Sequence, residues 1–484
     1  YFTKQGLFGC YQGRGSAPAL LKRSLFIEEN DTPNYNLARN GSIACVVPAL
    51  VPTLRLMHDA FGGLAWKTIL GKVIPLAREG FLADKFMAQQ TNNVDAREKI
   101  DSHANTGLFS EIIKEGQTIL QPEMARTLSA ISDDPNEVID GPIAGSLSQT
   151  VKEVDGVLSV DDLKHYRPFE QNLVEGKYRQ WRVLAPATPT IGALQVLLAL
   201  QILGNFELSN CVPGSPEHLH LVAEALKLSF IARGSLHNEA EALSLSEPDK
   251  AADMAQLINS NRVLDADALY GQSDAESCTS HFSVADKEGN VVCQTQTIGG
   301  TFGSGIIDST TGIVLNNLIG DFSLRVGDVT TQGIRYGGYN LLEPGSEPAS
   351  SQSPMIAINQ ETNEMLTVGA AGGPKIVSAS VQALVNFIDF GMGTKGSVDA
   401  ARLHCHGRQI EVEPGISVGV LARLREIGHD VVTVPRIALL QMIHKSTGGW
   451  EGASDSRGPG RASILIEDSG HIVSRDFGYS NSQP

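Results

Sequence analysis

No two of the six cysteines stand in a CxxC pair. Cys10, Cys45, Cys211, Cys278, Cys293 and Cys405 are spread along the whole chain, which argues against a zinc ribbon or a disulfide scaffold and leaves isolated buried thiols as the ordinary reading. Positive charge is also short: 38 Lys and Arg stand against 54 Asp and Glu, a formal net charge of -16. Such a surface repels phosphate backbones and speaks against nucleic acid as a partner, and its plain use is solubility. The longest strongly apolar stretch, 192–203, falls short of the roughly 20 residues that a bilayer demands, so no membrane span is expected. The opening YFTKQGLFGC has no initiator Met, no basic n-region and no apolar core, so no signal peptide is expected in it. Location stays open between the periplasm or exterior and the cytoplasm. No repeat or low-complexity tract is found.

What is present is globular. The chain has 484 residues, 42% of them hydrophobic and 19% charged. Length alone suggests roughly three domains of about 150 residues, although large α/β enzymes run longer as one unit. Pro48 and Pro52 argue against one continuous helix over 44–54. An amphipathic helix is predicted over 64–90 with a kink or break at Pro75, and helical spacing continues at 108–132 and 136–153. Ser159, followed by Asp161 and Asp162, reads as a capped helix start. A strand is expected over 177–186, helices over 191–203 and 218–235, and an exposed helical and loop segment over 236–277. From 279 the pattern alternates in the strand manner, with a hairpin-like turn at 287–290. Further strands are predicted near 312–316, 354–359, 365–370, 430–434 and 462–467, and helices over 376–391 and 416–427. Helices first, then strands returning to helices, fit layered sheets covered by helices.

Thr279 opens the most informative segment. A threonine hydroxyl is a weak nucleophile and needs a base. If the chain is cut before Thr279, the freed α-amine, titrating at about pH 7.7–8.0, can take the hydroxyl proton. Its β-branch limits rotamers and holds the hydroxyl in place. One threonine before a strand proves none of this, and such a residue is ordinarily structural. The surrounding pattern decides. TSHFSVADKEGN resembles the start of the small subunit of γ-glutamyltranspeptidases, where a TTHYS-like stretch begins at the self-processing site. The resemblance continues through QTIGGTFGSGI, GIVLNNLIGDFS, EPASSQSPMI, TVGAAGGPKI and GASDSRGPG, and upstream through GRGSAPALL, VDDLKHY and AEALKLSF. It covers roughly residues 10–480, and several spaced motifs in one order are far more specific than any single one.

The resemblance implies an α+β fold, the four-layer αββα sandwich of N-terminal-nucleophile hydrolases. It implies autoproteolysis at Cys278–Thr279 into 1–278 and 279–484, which stay associated as one intertwined domain. It places Thr279 on the nucleophile and Thr297 on the threonine that steadies that hydroxyl and assists processing. Gly372 and Gly373 fall on the oxyanion hole, where glycine lets backbone N–H groups approach closely. Arg14 falls on the arginine that grips the donor's α-carboxylate, a task suited to a planar, permanently charged fork. Ser350 and Ser351 fall on the serine pair that bonds the same carboxylate, and Asp321 on the acid that binds the α-ammonium. His281 reads as structural and Cys278 as incidental. No metal or organic cofactor is implied. The donor is a small γ-glutamyl or other carboxylate-bearing amide such as glutathione, and the acceptor is water, an amino acid or a dipeptide.

The pattern also departs from the family. Gly299 stands where an Asn, and Leu318 where a Gln, usually helps hold the ammonium, and Gly320 replaces an Asp. A pocket that has lost hydrogen-bond partners discriminates less for a polar group. The usual lid tyrosine position holds Gln332, with Tyr336 and Tyr339 as candidate substitutes. The family's upstream GGNAxDAAVA-like helix and Gly-rich strand are not matched. A γ-glutamyltransferase or hydrolase is therefore the first reading. A related amidohydrolase of a carboxylate-bearing amide without the α-amine, of oxamate or glutaryl type, is the second. A ligand-binding pseudoenzyme is the third, and retention of Thr279, Thr297, Arg14, Asp321 and both glycines argues against it.

Overall fold

The computed structural model describes residues 6–102, 108–265, 278–407, 409–468 and 471–476. Eleven elements position the site: β1 (Leu173–Tyr178), β2 (Trp181–Pro186), α1 (Ile191–Leu203), α2 (Pro216–Gly234), β3 (Thr279–Ala285), β4 (Val291–Thr297), β5 (Met355–Asn359), β6 (Met365–Ala371), α3 (Lys375–Ile388), β7 (Leu439–Ser446) and β8 (Gly449–Ser454). Six strands form one antiparallel sheet in the order β8-β7-β6-β5-β2-β1. Two of them precede residue 279 and four follow it, so neither side of the Cys278–Thr279 bond completes the sheet alone.

Alternation along β6 shows how the layers form. Leu366, Val368 and Ala370 join the main apolar core with α1, α2 and α3. On the opposite face Gly369 meets His281 of the β3–β4 hairpin, which packs as a second sheet. Every residue of α1 is buried. A helix apolar all round has no solvent face to offer, and α1 accordingly lies between the sheet, α2 and α3. Outer-face residues Phe282, Val284 and Val292 of the hairpin are exposed. A second core gathers Cys45, Val47, Ile143 and Leu147 against Ile306 and Leu315, again joining residues from both sides of 279.

Several sequence expectations are refined. Residues 177–186 are not one strand but the end of β1, a tight turn with Arg179 at φ 52, and β2. The helix Leu50–Phe61 contains Pro52, but within its first turn, where the missing N–H costs nothing. The helix Trp66–Glu79 runs on past Pro75 and stops at Gly80, with φ 91. Within 108–132 the α-helix begins only at Pro122 and runs to Asp133, after a single 3-10 turn at Leu108–Ser110. Residues 312–316 form no strand, only an isolated bridge between Ile307 and Val314. Ser159 does cap a helix, in a reciprocal capping box with Asp162. The polar segment 236–277 contains the helices Glu239–Leu243 and Pro248–Ala255, and residues 266–277 lie outside the described residues.

Candidate active site

The β3–β4 hairpin forms because both strands alternate and Asp286 organises the turn. Burial pushes its carboxyl up, but hydrogen bonds from the Asn290 side chain at 2.6 Å and from the backbone N–H groups of Asn290 and Glu288 hold it below its ordinary pKa. The register sets Thr279 directly opposite Thr297. Thr279 Oγ1 donates to Thr297 Oγ1 at 3.3 Å, and Thr297 Oγ1 donates to the Cys278 carbonyl at 3.4 Å. The Gly299 N–H donates to the same Thr297 oxygen at 2.9 Å. One hydroxyl thus uses its single donor and both acceptor sites. In the continuous chain the Thr279 hydroxyl and the carbonyl of the bond before it touch one shared hydroxyl. The Cys278 thiol donates to Thr301 Oγ1 at 3.4 Å and takes no part in that triangle.

His281, two residues on, points from β3 into the gap between the sheets. A Cβ on Gly369 would stand 2.2 Å from its ring, so the glycine makes the seat. Ring contacts to Thr295 Oγ1 at 2.8 Å and Ser283 Oγ at 3.3 Å satisfy it. Burial lowers its pKa to about 3, so it is neutral at ordinary pH. The neutral ring is thus fixed between the sheets.

Opposite Thr279 lies a pocket that brings together Arg14, Thr279, Thr297, Gly299, Asp321, Ser350, Ser351 and Gly373. Gly372 (φ 144) and Gly373 (φ 58) form the turn from β6 into α3, conformations that favour glycine, and a Cβ at Gly372 would meet Ala438 at 2.8 Å. The turn therefore presents backbone at a helix N-terminus beside Thr279, where negative charge is favoured.

Arg14 is buried and forms an ion pair with Asp321, and its Nε donates to the Pro348 carbonyl at 3.2 Å. Gln332 Nε2 donates to the other Asp321 oxygen at 2.5 Å. Burial pushes the Asp321 carboxyl up, against the pull of Arg14 and Gln332. Behind Arg14, Glu347 accepts from Tyr166 Oη at 2.7 Å and Gln12 Nε2 at 3.4 Å, and burial raises its pKa too.

Ser350 and Ser351 sit where the N-terminus of α1 reaches them. Gly192 N–H donates to Ser350 O at 2.8 Å, and a Cβ on Gly192 would lie 2.1 Å from Ser351 O. Ser350 Oγ accepts from Gln352 N at 3.1 Å. Ser351 Oγ accepts from Arg233 Nη1 at 2.8 Å, and Arg233 also bonds Gln195 and the Tyr336 hydroxyl. Tyr336 is thus a buried support of Ser351 rather than a lid, and from the 322–349 loop Thr331 and Gln332 line the pocket. Tyr339 is not among the lining residues. Leu318 packs into an apolar cluster with Ala17, Leu21 and Phe26.

Sequence reasoning missed Arg233, Arg39, Asn317 and Thr331, the last three of which also line the pocket. Asn317 lies within GIVLNNLIGDFS but was not singled out there, while no motif flags Arg39, Arg233 or Thr331. One other grouping bears metal-ligand types among the described residues: His220, Glu224 and His429. Lys227 Nζ already pairs with Glu224 Oε1 there at 2.6 Å, so the ammonium supplies the charge a cation would bring.

A threonine opening a strand that packs as a second sheet on the main one, with helices over the main sheet, fits the α+β fold class of the N-terminal-nucleophile hydrolases. The comparisons agree. A family profile described as gamma-glutamyltranspeptidase matches residues 1–465. The chain belongs to the γ-glutamyltranspeptidase family. It is 28% identical over 471 residues to the glutathione hydrolase proenzyme of Escherichia coli (strain K12), covering 94% of this chain and 81% of that one. It is 30% identical over 482 residues to the glutathione hydrolase proenzyme of Bacillus subtilis (strain 168), covering 93% and 80%. In fold it is similar to the cephalosporin acylase from Bacillus halodurans, with a TM-score of 0.79 at 23% identity over 94% of this chain and 84% of that one.

Proposed function

We propose that the chain cuts itself between Cys278 and Thr279 and then hydrolyses or transfers γ-glutamyl groups from amides such as glutathione through an ester on Thr279. The triangle of Thr279 Oγ1, Thr297 Oγ1 and the Cys278 carbonyl carries this reading. In the precursor, Thr297 polarises the Cys278 carbonyl and accepts from the attacking hydroxyl. The Cys278 acyl group shifts from the nitrogen to the oxygen of Thr279, and water releases it. Residues 1–278 and 279–484 stay interlocked, because the main sheet and the second core draw on both.

In the mature protein the Thr279 α-amine takes the hydroxyl proton as Oγ1 attacks the donor carbonyl. The C–O bond forms, the C–N bond breaks, and the proton goes to the leaving amine. Backbone N–H groups of Gly372 and Gly373 face the oxyanion. Arg14, with Ser350 and Ser351, takes the donor carboxylate, and Arg233 fixes Ser351. Asp321 is the site's anion for the α-ammonium. Water or an amino acid or dipeptide amine then removes the acyl group. No metal or organic cofactor enters any step.

The test is a denaturing gel with intact mass for wild type beside Thr279→Ala. Two fragments dividing at Cys278–Thr279, missing in the variant, and release of p-nitroaniline from its γ-glutamyl derivative are expected. A folded wild-type chain that stays whole would remove the mature enzyme.

A further inference from the structure

Two stretches that the sequence singles out, GRGSAPALL and VDDLKHY, meet at one hydroxyl. The helix Val160–His165 ends at Tyr166, whose N–H closes on the Asp162 carbonyl at 3.1 Å. Asp162 spends one carboxylate oxygen on the Ser159 cap and the other on the Ala19 N–H at 2.7 Å, so the helix is fixed to the chain just after Arg14. The Tyr166 hydroxyl accepts from the Gly15 N–H at 3.1 Å and donates to Glu347 Oε1 at 2.7 Å. Gly15 stands at φ 80, and a Cβ there would lie 2.2 Å from the Val47 carbonyl oxygen, a conformation and a contact that suit glycine. The second Glu347 oxygen takes Gln12 Nε2 at 3.4 Å. The next residue, Pro348, supplies the carbonyl that holds Arg14 Nε at 3.2 Å, and Ser350 and Ser351 follow shortly after. Backbone bonds join the same two loops, from Ala17 N to Ser346 O at 2.8 Å and from Gly345 N to Ala17 O at 2.9 Å. With Nε on Pro348 and one Nη on Asp321, the plane of the Arg14 guanidinium is set. Tyr166 itself is not among the residues that line the pocket.

We propose that Tyr166 is a positioning residue for the donor carboxylate: its hydroxyl joins the loop of Arg14 to the loop of Ser350 and Ser351, so that the two arms of the grip keep one spacing. The proposal rests on Arg14 and the serine pair taking the donor carboxylate as described above. Arg14 and Tyr166 precede residue 279 and Glu347 follows it, so the link spans the two pieces after cleavage. Without the hydroxyl, the Gly15 N–H and the Glu347 carboxylate lose a partner together, and one tie between the loops is gone. A planar fork that must meet a carboxylate squarely tolerates little displacement, so a looser spacing weakens the grip without touching the reacting atoms.

The experiment measures kcat and KM on self-cleaved wild type, Tyr166→Phe, Glu347→Ala and Glu347→Gln. The donors are γ-glutamyl-p-nitroanilide and its α-carboxamide, which keeps the ammonium and the leaving group but not the carboxylate. Tyr166→Phe should raise KM for the free acid by about tenfold, the effect of one lost hydrogen bond to a charged group. The loss should fall on KM rather than kcat, because the grip is the same in the ground and transition states. With the carboxamide the loss should be smaller by about fivefold or more, since the residue and the carboxylate act as one coupled pair. Glu347→Ala should raise KM to a similar extent, and the double variant should lose little beyond either alone. Glu347→Gln still accepts from the hydroxyl and should recover most of the loss. An unchanged KM in Tyr166→Phe, or a loss equal for both donors, overturns this inference and leaves the Arg14 reading standing. So does failure of both Tyr166→Phe and Glu347→Ala to cleave themselves, which would make the link a requirement of the fold. A wild type that uses both donors alike removes the carboxylate grip itself, and this inference with it.

Discussion

Gly369→Ala isolates what the second sheet does for the nucleophile. Gly369 lies in the middle of β6 with ordinary strand backbone, so an alanine there meets no conformational objection. The objection is steric. The new methyl would lie 2.2 Å from His281 Cε1, 2.4 Å from Nδ1 and 2.6 Å from Nε2. The ring cannot swing away, since it is buried and held by Thr295 and Ser283. The two sheets must then separate at β3, only two residues from Thr279. Forcing one methyl into a packed interior costs about 1–3 kcal/mol. A shift of about 1 Å at a reacting group can cost about a hundredfold in rate. Self-cleavage timed on a denaturing gel should therefore slow by about tenfold to a hundredfold, with a lower thermal midpoint. His281→Ala removes the obstructing ring. In the double variant the two stability losses should fall short of their sum by about 1 kcal/mol or more, the signature of contacting residues. If Gly369→Ala cleaves at the wild-type rate, or the two substitutions add without coupling, the sheets do not set the nucleophile's position in this way.

The remaining predictions address single groups. Thr297→Val keeps the shape of the side chain but removes the hydroxyl shared by Thr279 and Cys278, and should slow self-cleavage by about tenfold or more, read as precursor on a gel. Normal processing would refute the triangle. Arg14→Met should raise KM for a carboxylate-bearing donor by about tenfold or more, and it leaves Asp321 buried without its partner, so a denaturant midpoint should fall as well. Lys227→Met strands Glu224 in a fully buried site and should cost about 3–5 kcal/mol in urea titration, which an unchanged midpoint would contradict. Burial lowers His281 and His429 to about 3 and His218 to about 4, against an unfolded value of 6.5. The unfolded chain therefore binds more protons below pH 6.5. Stability is full above 6.5 and falls as pH drops through the window toward 4, by about 2 kcal/mol per ring between 6.5 and 5. A urea midpoint flat from pH 7 to 5 would refute these neutral, buried rings.

Much of the site could be read in the sequence, because its signals are local. The run from Thr279 alternates in the strand manner, a turn at 287–290 reverses it, and the register of that hairpin alone sets Thr279 against Thr297. Gly372 and Gly373 at the start of a helical pattern mark a backbone turn for the same reason. Helix α1 was plain from its apolar run, and Ser159 from its capping pattern. Local pattern misled where several outcomes were compatible with it. The turn at Arg179 was hidden because a charged residue suits a strand as well as a turn, and Pro75 stopped nothing because the chain around it packs as helix.

Tertiary structure decided the rest, because several of those contacts join residues hundreds of positions apart and the nearer ones come from loop conformations no local pattern records. Asp321 could be read from sequence as the acid for an ammonium. Only the fold shows that Arg14, 307 residues away, and Gln332 occupy both of its oxygens. The absence of an Asn at Gly299 was visible in the sequence, but not that Asn317 fills the space or that Arg39 and Lys99 close on Gly300 beside it. The sequence determined which threonine opens this strand and which threonine its hairpin sets opposite. Chain crossing determined the charge of the pocket around it, since charge acts through space and no local pattern records which distant cations a strand will meet.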